Sequence, residues 1–302
     1  MRGDREKSCF TYIQSALFGK NGSPITNPFN GKTYLTASDM EFSSEMLFYI
    51  NGDATSFFFG LTEQDRAEFY EIMRKTKPNP STSTFPDFVF DKGFIEHFSI
   101  TSSVENRKGS KQKITDIAFD AMVKNESQIF EEECNSKPFF DQIRSKQWTT
   151  TNPEHSYANL ITSFQSSWEH HMNSYHKYTG NKATGIFMIE NMEFSLSMYE
   201  NVYSEWINGM SHGDYRNPEN FKCHKLSRDK KLLEFCYQYH EQIKYVIYRN
   251  HQGFEVVNTI NIPYLLKIIP WDYYISPMAV YRVAKIENIS FPYERGESND
   301  KT

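Results

Sequence analysis

Two acidic residues inside an aromatic and β-branched stretch carry the most specific chemical signal in this 302-residue chain. Asp87 stands near the start of the run Phe85-Pro86-Asp87-Phe88-Val89-Phe90, and Glu96, nine positions later, stands near the start of Phe94-Ile95-Glu96-His97-Phe98-Ser99-Ile100-Thr101. Between them, Asp91-Lys92-Gly93 reads as a turn whose glycine can take positive φ, so the two runs form a β-hairpin. Folding the strands side by side brings the carboxylates toward each other, which costs electrostatic energy unless a cation lies between them. A hard divalent ion such as magnesium takes oxygen ligands, often only one or two carboxylates, with water and phosphate oxygens completing its shell. Such an ion can activate a water and stabilise the charge on a phosphodiester under attack. A Glu within a strand of Phe and Ile is itself unusual unless something satisfies it. The plainer reading is that Asp87 caps the strand start and Glu96 faces solvent or pairs with Lys92.

A basic loop follows the hairpin. Arg107, Lys108, Lys111 and Lys113, with Ser102, Ser103, Ser110 and backbone amides near a helix start, suit contacts to nucleic-acid phosphates. A solvated charge run is the plain alternative. A second cluster, Lys225, Arg228, Lys230 and Lys231, extends such a track or simply faces water. His97 falls on the opposite strand face from Glu96 and reads as structural. His170, His171 and His176 share a long helix, where a structural or interfacial role is the expectation. Cys236 and His240, four apart on one helix face after Cys223-His224, suggest zinc, but Cys236 also fits an apolar stripe with Leu232, Phe235, Tyr239 and Ile243. No nucleophile elbow, glycine-rich phosphate loop or dinucleotide fingerprint is present, so covalent hydrolysis, nucleotide hydrolysis and hydride transfer have no support.

The elements that must position these residues are readable from caps and periodicity. The first 37 residues, rich in Asn, Gly and Pro, read as an irregular lead-in. Helices are expected from Ser38 to about Asn51 and from Thr62 to about Lys75, the second ended by Lys77-Pro78-Asn79-Pro80. A further helix spans about Ile114 to Cys134. A long one from about Ser156 to Tyr178 shows Leu160, Phe164, Trp168 and Met172 on one face. The apolar strand Ala183 to Glu190 follows at once, the pattern of a crossover onto a buried sheet. Another helix near Asp229 to Lys244 precedes a hairpin of Tyr245-Val246-Ile247-Tyr248 and Phe254-Glu255-Val256-Val257. The stretch Ile262 to Trp271 is core-like. No repeat or linker stands out, and one mixed α/β domain is the expected architecture.

Composition bounds the function. With 25 Phe and 19 Tyr, aromatic rings supply much of the core, and a net charge of -5 excludes a protein that coats nucleic acid or an anionic membrane with its whole surface. No run approaches the roughly 18 apolar residues of a membrane span, and the charged start leads into no export signal. Four scattered cysteines, Cys9, Cys134, Cys223 and Cys236, fit a reducing compartment, with the cytoplasm as the expectation.

Pro86-Asp87 followed by Glu96 on the next strand resembles the PD-(D/E)XK superfamily of restriction-endonuclease-like nucleases. The order of elements from about residue 40 to 190 is similar to that family's core. The resemblance implies an α/β fold with a central mixed β-sheet flanked by helices, a nuclease-like core over 38–190, and 191–302 as an extension packing on the same sheet. It implies magnesium or manganese held by Asp87 and Glu96, with a third ligand from a preceding helix: Glu45, or alternatively Glu68 or Glu71. It implies hydrolysis of DNA, in restriction or another defence role. The family's lysine, two residues after the second acid, is here Phe98, which cannot orient a water, so the resemblance calls for Lys108 or Lys111 in that role. The alternative is a catalytically inactive module of the same fold that binds nucleic acid or a protein partner, with the aromatic helix around Trp168 serving partners or a homodimer.

Overall fold

A computed structural model describes residues 3–18, 56–81, 84–106, 109–136, 142–151, 154–193, 195–200, 220–221, 223–268, 273–277 and 281–290. The chain divides into two compact units, Met1–Ser102 with His155–Met278, and Ser103–Glu154 with Ala279–Thr302. The division does not follow the expected boundaries at 37 and 190. The second unit enters the sequence after the hairpin, and the segment beyond 190 is split between the two.

The first unit contains, in chain order, α1 (Asp4–Leu17), β1 (Ser56–Phe59), α2 (Glu63–Lys75), β2 (Lys77–Pro78), β3 (Phe88–Phe90), β4 (Gly93–Ser99), α3 (Tyr157–Lys177), β5 (Thr184–Glu190), β6 (Leu196–Glu200), β7 (Asn220–Phe221), α4 (Lys230–Tyr237), β8 (Tyr245–Asn250), β9 (Gly253–Asn258), α5 (Ile262–Ile268) and β10 (Tyr273–Pro277). Seven strands make one mixed sheet in the order β1-β9-β8-β5-β4-β3-β2. Strands β4, β5 and β8 run parallel, while β2, β3 and β4 form an antiparallel meander. The α/β class with a mixed sheet flanked by helices is the expected one. A smaller sheet, β7-β6-β10, belongs to the same unit.

Local signals account for the main elements. In α2, Thr62 accepts from the Asp65 amide at 3.1 Å and Asp65 accepts from the Thr62 amide at 3.0 Å, a reciprocal capping box. Ser156 caps α3, accepting from the Asn159 amide. All seven residues of β5 are buried, because helices cover both sides of the sheet and leave no solvent-facing strand residue. On one face Phe94, Phe98, Phe187, Ile189 and Tyr248 meet Phe164, Trp168 and Met172 of α3 and Phe235 of α4. On the other, Ile95, Ile186, Met188, Tyr245 and Ile247 meet Phe10, Ile13 and Leu17 of α1 and Phe69 and Met73 of α2. Gly93 is required by close approach, not by the positive φ expected of it: a Cβ there would lie 1.8 Å from the Thr184 carbonyl oxygen.

Several expectations change. The lead-in holds a helix, α1, whose Phe10, Ile13 and Leu17 are buried. The helix expected at 38–51 lies outside the described residues. The helix expected to run from Asp229 to Lys244 stops at Tyr237 and gives way to turns. The apolar face of α3 is core: Trp168 is fully buried against Phe187, Phe164, Phe235 and Tyr239, so that face is closed to a partner or a second copy.

The second unit has a short hairpin (Glu105–Asn106 with Gly109–Ser110), a helix (Lys111–Ser136) and an antiparallel ribbon pairing Gln142–Thr151 with Tyr281–Ser290. Ion pairs tie the ribbon to the helix, Lys146 to Glu126 at 2.7 Å and Arg282 to Asp120 at 2.8 Å. No helix among the described residues is long and apolar enough to cross a membrane.

Trp168→Ala should lower unfolding free energy by about 3–5 kcal/mol, read by urea denaturation, because the cavity left among Phe164, Phe187 and Phe235 cannot collapse. A loss below about 1 kcal/mol would contradict this packing.

Candidate functional site

The site is built on the β3–β4 hairpin. Phe88 pairs with Ile95, so Asp87, just before β3, comes beside Glu96 of β4. The Asp87 amide donates to Glu96 Oε2 at 3.0 Å, and the His97 amide donates to Asp87 Oδ2 at 2.8 Å. Each acid thus holds the backbone that presents the other. Glu96 is buried and Asp87 half-buried, and Lys92 is not their partner.

Burial, with Glu96's negative charge beside it, pushes the Asp87 carboxyl up to about 7. Burial pushes Glu96 up to about 8, against hydrogen bonds from Asp87. The pair titrates as a unit, since ionising one raises the cost of ionising the other. A third carboxylate takes part: Glu6 of α1, whose charge raises both, and whose Oε2 is buried without a hydrogen-bond partner. Glu6 lies three residues before Cys9 and four before Phe10, on the buried face of α1. The signal was present in the spacing of Phe10, Ile13 and Leu17, and the Gly- and Asn-rich stretch that follows obscured it.

His171 of α3 completes the group. Its Nδ1 lies 2.6 Å from Glu96 Oε1, and its ring stacks on Phe98 with centroids 4.7 Å apart and planes 14° from parallel. Burial lowers its proton affinity, with Asp87 opposing. His171, read from the sequence as structural or interfacial, is thus in contact with the acid pair. His97 points away, as alternation requires, with Nε2 3.5 Å from Glu190 Oε2 on the opposite face.

The other expected site residues fall elsewhere. Glu45, Arg107 and Lys108 lie outside the described residues. Lys111 and Lys113 are exposed on the helix of the second unit. Glu68 pairs with Lys244 at 2.7 Å, and Glu71 with Arg74 at 3.0 Å, so neither supplies the third acid. Ser102 is interior, bonded to His155 Nδ1, Glu193 and Ser195, and Ser103 is also buried, so they do not offer phosphates a surface. Lys225 and Arg228 are likewise buried, which removes them from a basic surface track with Lys230 and Lys231. Adjoining them in the chain is a polar network in which His224 Nε2 lies 2.9 Å from Asp229 Oδ2 and the Tyr157 hydroxyl donates to Asp229. The soft cluster does not assemble: Cys236 is enclosed in the apolar core, and His240 Nδ1 bonds the Tyr237 carbonyl.

Two adjacent carboxylates offer oxygen ligands suited to a hard divalent cation of the magnesium or manganese type, but among the described residues the only group of three ligand-type side chains close enough to share an ion is Cys9, His97 and Glu190. A cation between Asp87 and Glu96 would favour the ionised form of both acids against the burial that raises them. No family model, curated protein or solved structure matches the chain.

Both carboxyls ionise above their ordinary values of 3.8 and 4.5, so the folded chain binds more protons than the unfolded one as pH rises toward about 8. The pair's contribution to stability is therefore complete below the ordinary carboxyl values, is lost progressively as pH climbs above them, and is gone once pH has passed through about 7 and 8. In chelator, the pair should make the melting temperature fall from about pH 4 to about pH 8 and level off above it, and the fall should be smaller in Asp87→Asn. Parallel melting curves for the two proteins would contradict the assignment.

Proposed function

We propose that the first unit is a metal-dependent nuclease that hydrolyses phosphodiester bonds in DNA, of the PD-(D/E)XK kind, acting in the cytoplasm in restriction or defence. The observation that carries the reading is the adjoining pair of Asp87 and Glu96, held side by side by backbone hydrogen bonds and both raised by burial, to about 7 and about 8. The order of elements supports it: helix α2, the meander that carries both acids, helix α3, then β5 parallel to β4 is similar to the order that family resemblance implies.

Asp87 and Glu96 would hold magnesium or manganese; Glu45, the third ligand the resemblance implies, lies outside the described residues. When bound, the ion supplies an activated water and neutralises charge on the phosphate. The chain's own groups prepare this. The His97 amide fixes Asp87, and His171 fixes Glu96 by the contact at its Oε1. Phe98 supplies no charge but gives the His171 ring a flat surface to lie on. His171 is thus the basic group adjoining the pair, where the family resemblance calls for a lysine such as Lys108 or Lys111.

Phe98 also favours a second reading. It is buried in the core beside Phe187, and without an ammonium at that position the unit would serve as a binding module for nucleic acid or a protein.

Purified protein should cleave plasmid, linear duplex or single-stranded DNA with magnesium or manganese, and Asp87→Ala and Glu96→Ala should each lose at least about a hundredfold in rate. His171→Ala should lose activity in part. Cleavage unchanged in Asp87→Ala would sink the reading. Absence of cleavage on any DNA or RNA, with the acid variants binding DNA like wild type, would favour the binding module.

A further inference from the structure

The face of the sheet opposite Glu96 carries a second set of ligand-type side chains. Strand alternation sends His97 of β4 to that face, and Glu190, at the end of β5, lies diagonally from it because Ser99 pairs with Glu190 and His97 with Met188. Cys9 of α1 packs over both. Their ligand atoms, a thiol sulfur, an imidazole nitrogen and a carboxylate oxygen, lie within 4.8 Å of one another. All three residues are buried, and His97, only 6% exposed, has an Nε2 with no hydrogen-bond partner. An orphaned buried ring nitrogen costs on the order of 1–3 kcal/mol, so its retention here asks for something to satisfy it.

We infer that Cys9, His97 and Glu190 form a binding site for a borderline-soft divalent cation of the zinc type. Magnesium requires an oxygen shell, whereas a mixed set of thiolate, imidazole and carboxylate selects zinc and its neighbours. The three ligands come from α1, β4 and β5, so the ion would pin the helix to the two central strands. Glu6, three residues before Cys9 on the same helix, would be fixed in register with the acid pair by the same bond.

Two arginines bear on the site and define how an ion enters. Arg249 Nη1 bonds Glu190 Oε1 at 2.9 Å, which leaves Oε2 to ligate and orients the carboxylate as outer-shell partners of metal ligands do. Arg5 Nε lies 2.6 Å from Oε2 and is the competitor for that oxygen. Its side chain is 52% exposed, so it can leave for solvent when a cation takes its place. Burial works against Glu190's charge, but the nearby His97 ring and the Arg5 guanidinium outweigh it and hold the carboxyl down at about 2, so the oxygen ligand is already ionised. Burial and the Glu190 charge push the Cys9 thiol up to about 12, so the metal-free cluster holds a thiol. Binding replaces its S–H bond by a metal–sulfur bond and releases one proton to solvent, while His97 donates the Nε2 lone pair.

Cobalt(II) is a direct probe, because a thiolate-to-cobalt charge-transfer band reports the sulfur ligand itself. Titrating the full chain should give that band with saturation at one equivalent, and zinc should abolish it by displacement. The band should disappear in Cys9→Ala and His97→Ala, and should persist in Asp87→Ala, which keeps this site separable from the nuclease reading. Arg5→Ala removes the competitor and should bind cobalt several-fold more tightly, a gain that no folding defect imitates. A band that survives Cys9→Ala would assign the sulfur to another cysteine and overturn the proposal. So would the lack of any band in both wild type and Arg5→Ala.

Discussion

Two carboxylates buried against each other are the constraint around which the first unit is organised. Without a cation, Asp87 and Glu96 ionise in this partly dry site only well above the ordinary carboxyl range, so the fold must supply compensating groups or leave the acids protonated at lower pH. It supplies backbone amides at Asp87 and His97 and an imidazole at His171, and it adds a third carboxylate at Glu6. A purely structural hydrogen-bonded pair would gain nothing from Glu6, whose charge makes both acids harder to ionise. The proposed divalent cation would offset that excess of negative potential.

The sheet makes this arrangement rigid. Because β4 and β5 are covered on both faces, each side chain of β4 is committed to one layer or the other. Glu96 and Phe98 go to the α3 side, where His171 meets them, and Ile95 and His97 go to the α1 side. A one-residue slip would exchange the two sets and place Glu96 among Ile186, Met188 and Phe10. Gly93 guards the register, since any Cβ would collide with the Thr184 carbonyl at the start of the neighbouring strand. Helix α1 spans both chemistries, with Glu6 bearing on the acid pair and Arg5 and Cys9 on Glu190.

The hairpin and its two acids were legible in the sequence because everything that defines them is local: a turn, alternation, and a nine-residue separation. The long helix α3 and strand β5 were legible for the same reason. What escaped depends on distant parts of the chain. His171 gains its meaning only when α3 packs across β4, and nothing in its own helix marks it out from His170 or His176. Strand β1 joins the sheet beside β9, with Ser56 paired to Phe254, a register that no local pattern encodes. The second unit, inserted between β4 and α3, brings no change in composition, so the helix at Lys111–Ser136 read as part of the core. Lys225 and Arg228 looked like surface charges because burial of a basic side chain depends on tertiary partners.

The most direct test of the account is the ionisation of the acid pair itself, followed by carbon-13 NMR of the Asp87 and Glu96 carboxyls through a pH titration with and without magnesium. Without the ion, both carboxyls should titrate far above the ordinary range, near 7 and 8. With it, both should be ionised throughout the neutral range, because the cation's positive charge would offset the burial that raises them. Carboxyls that titrate near 4 in the metal-free protein, or that are unmoved by saturating magnesium, would contradict the claim that this hairpin is built to hold a divalent cation.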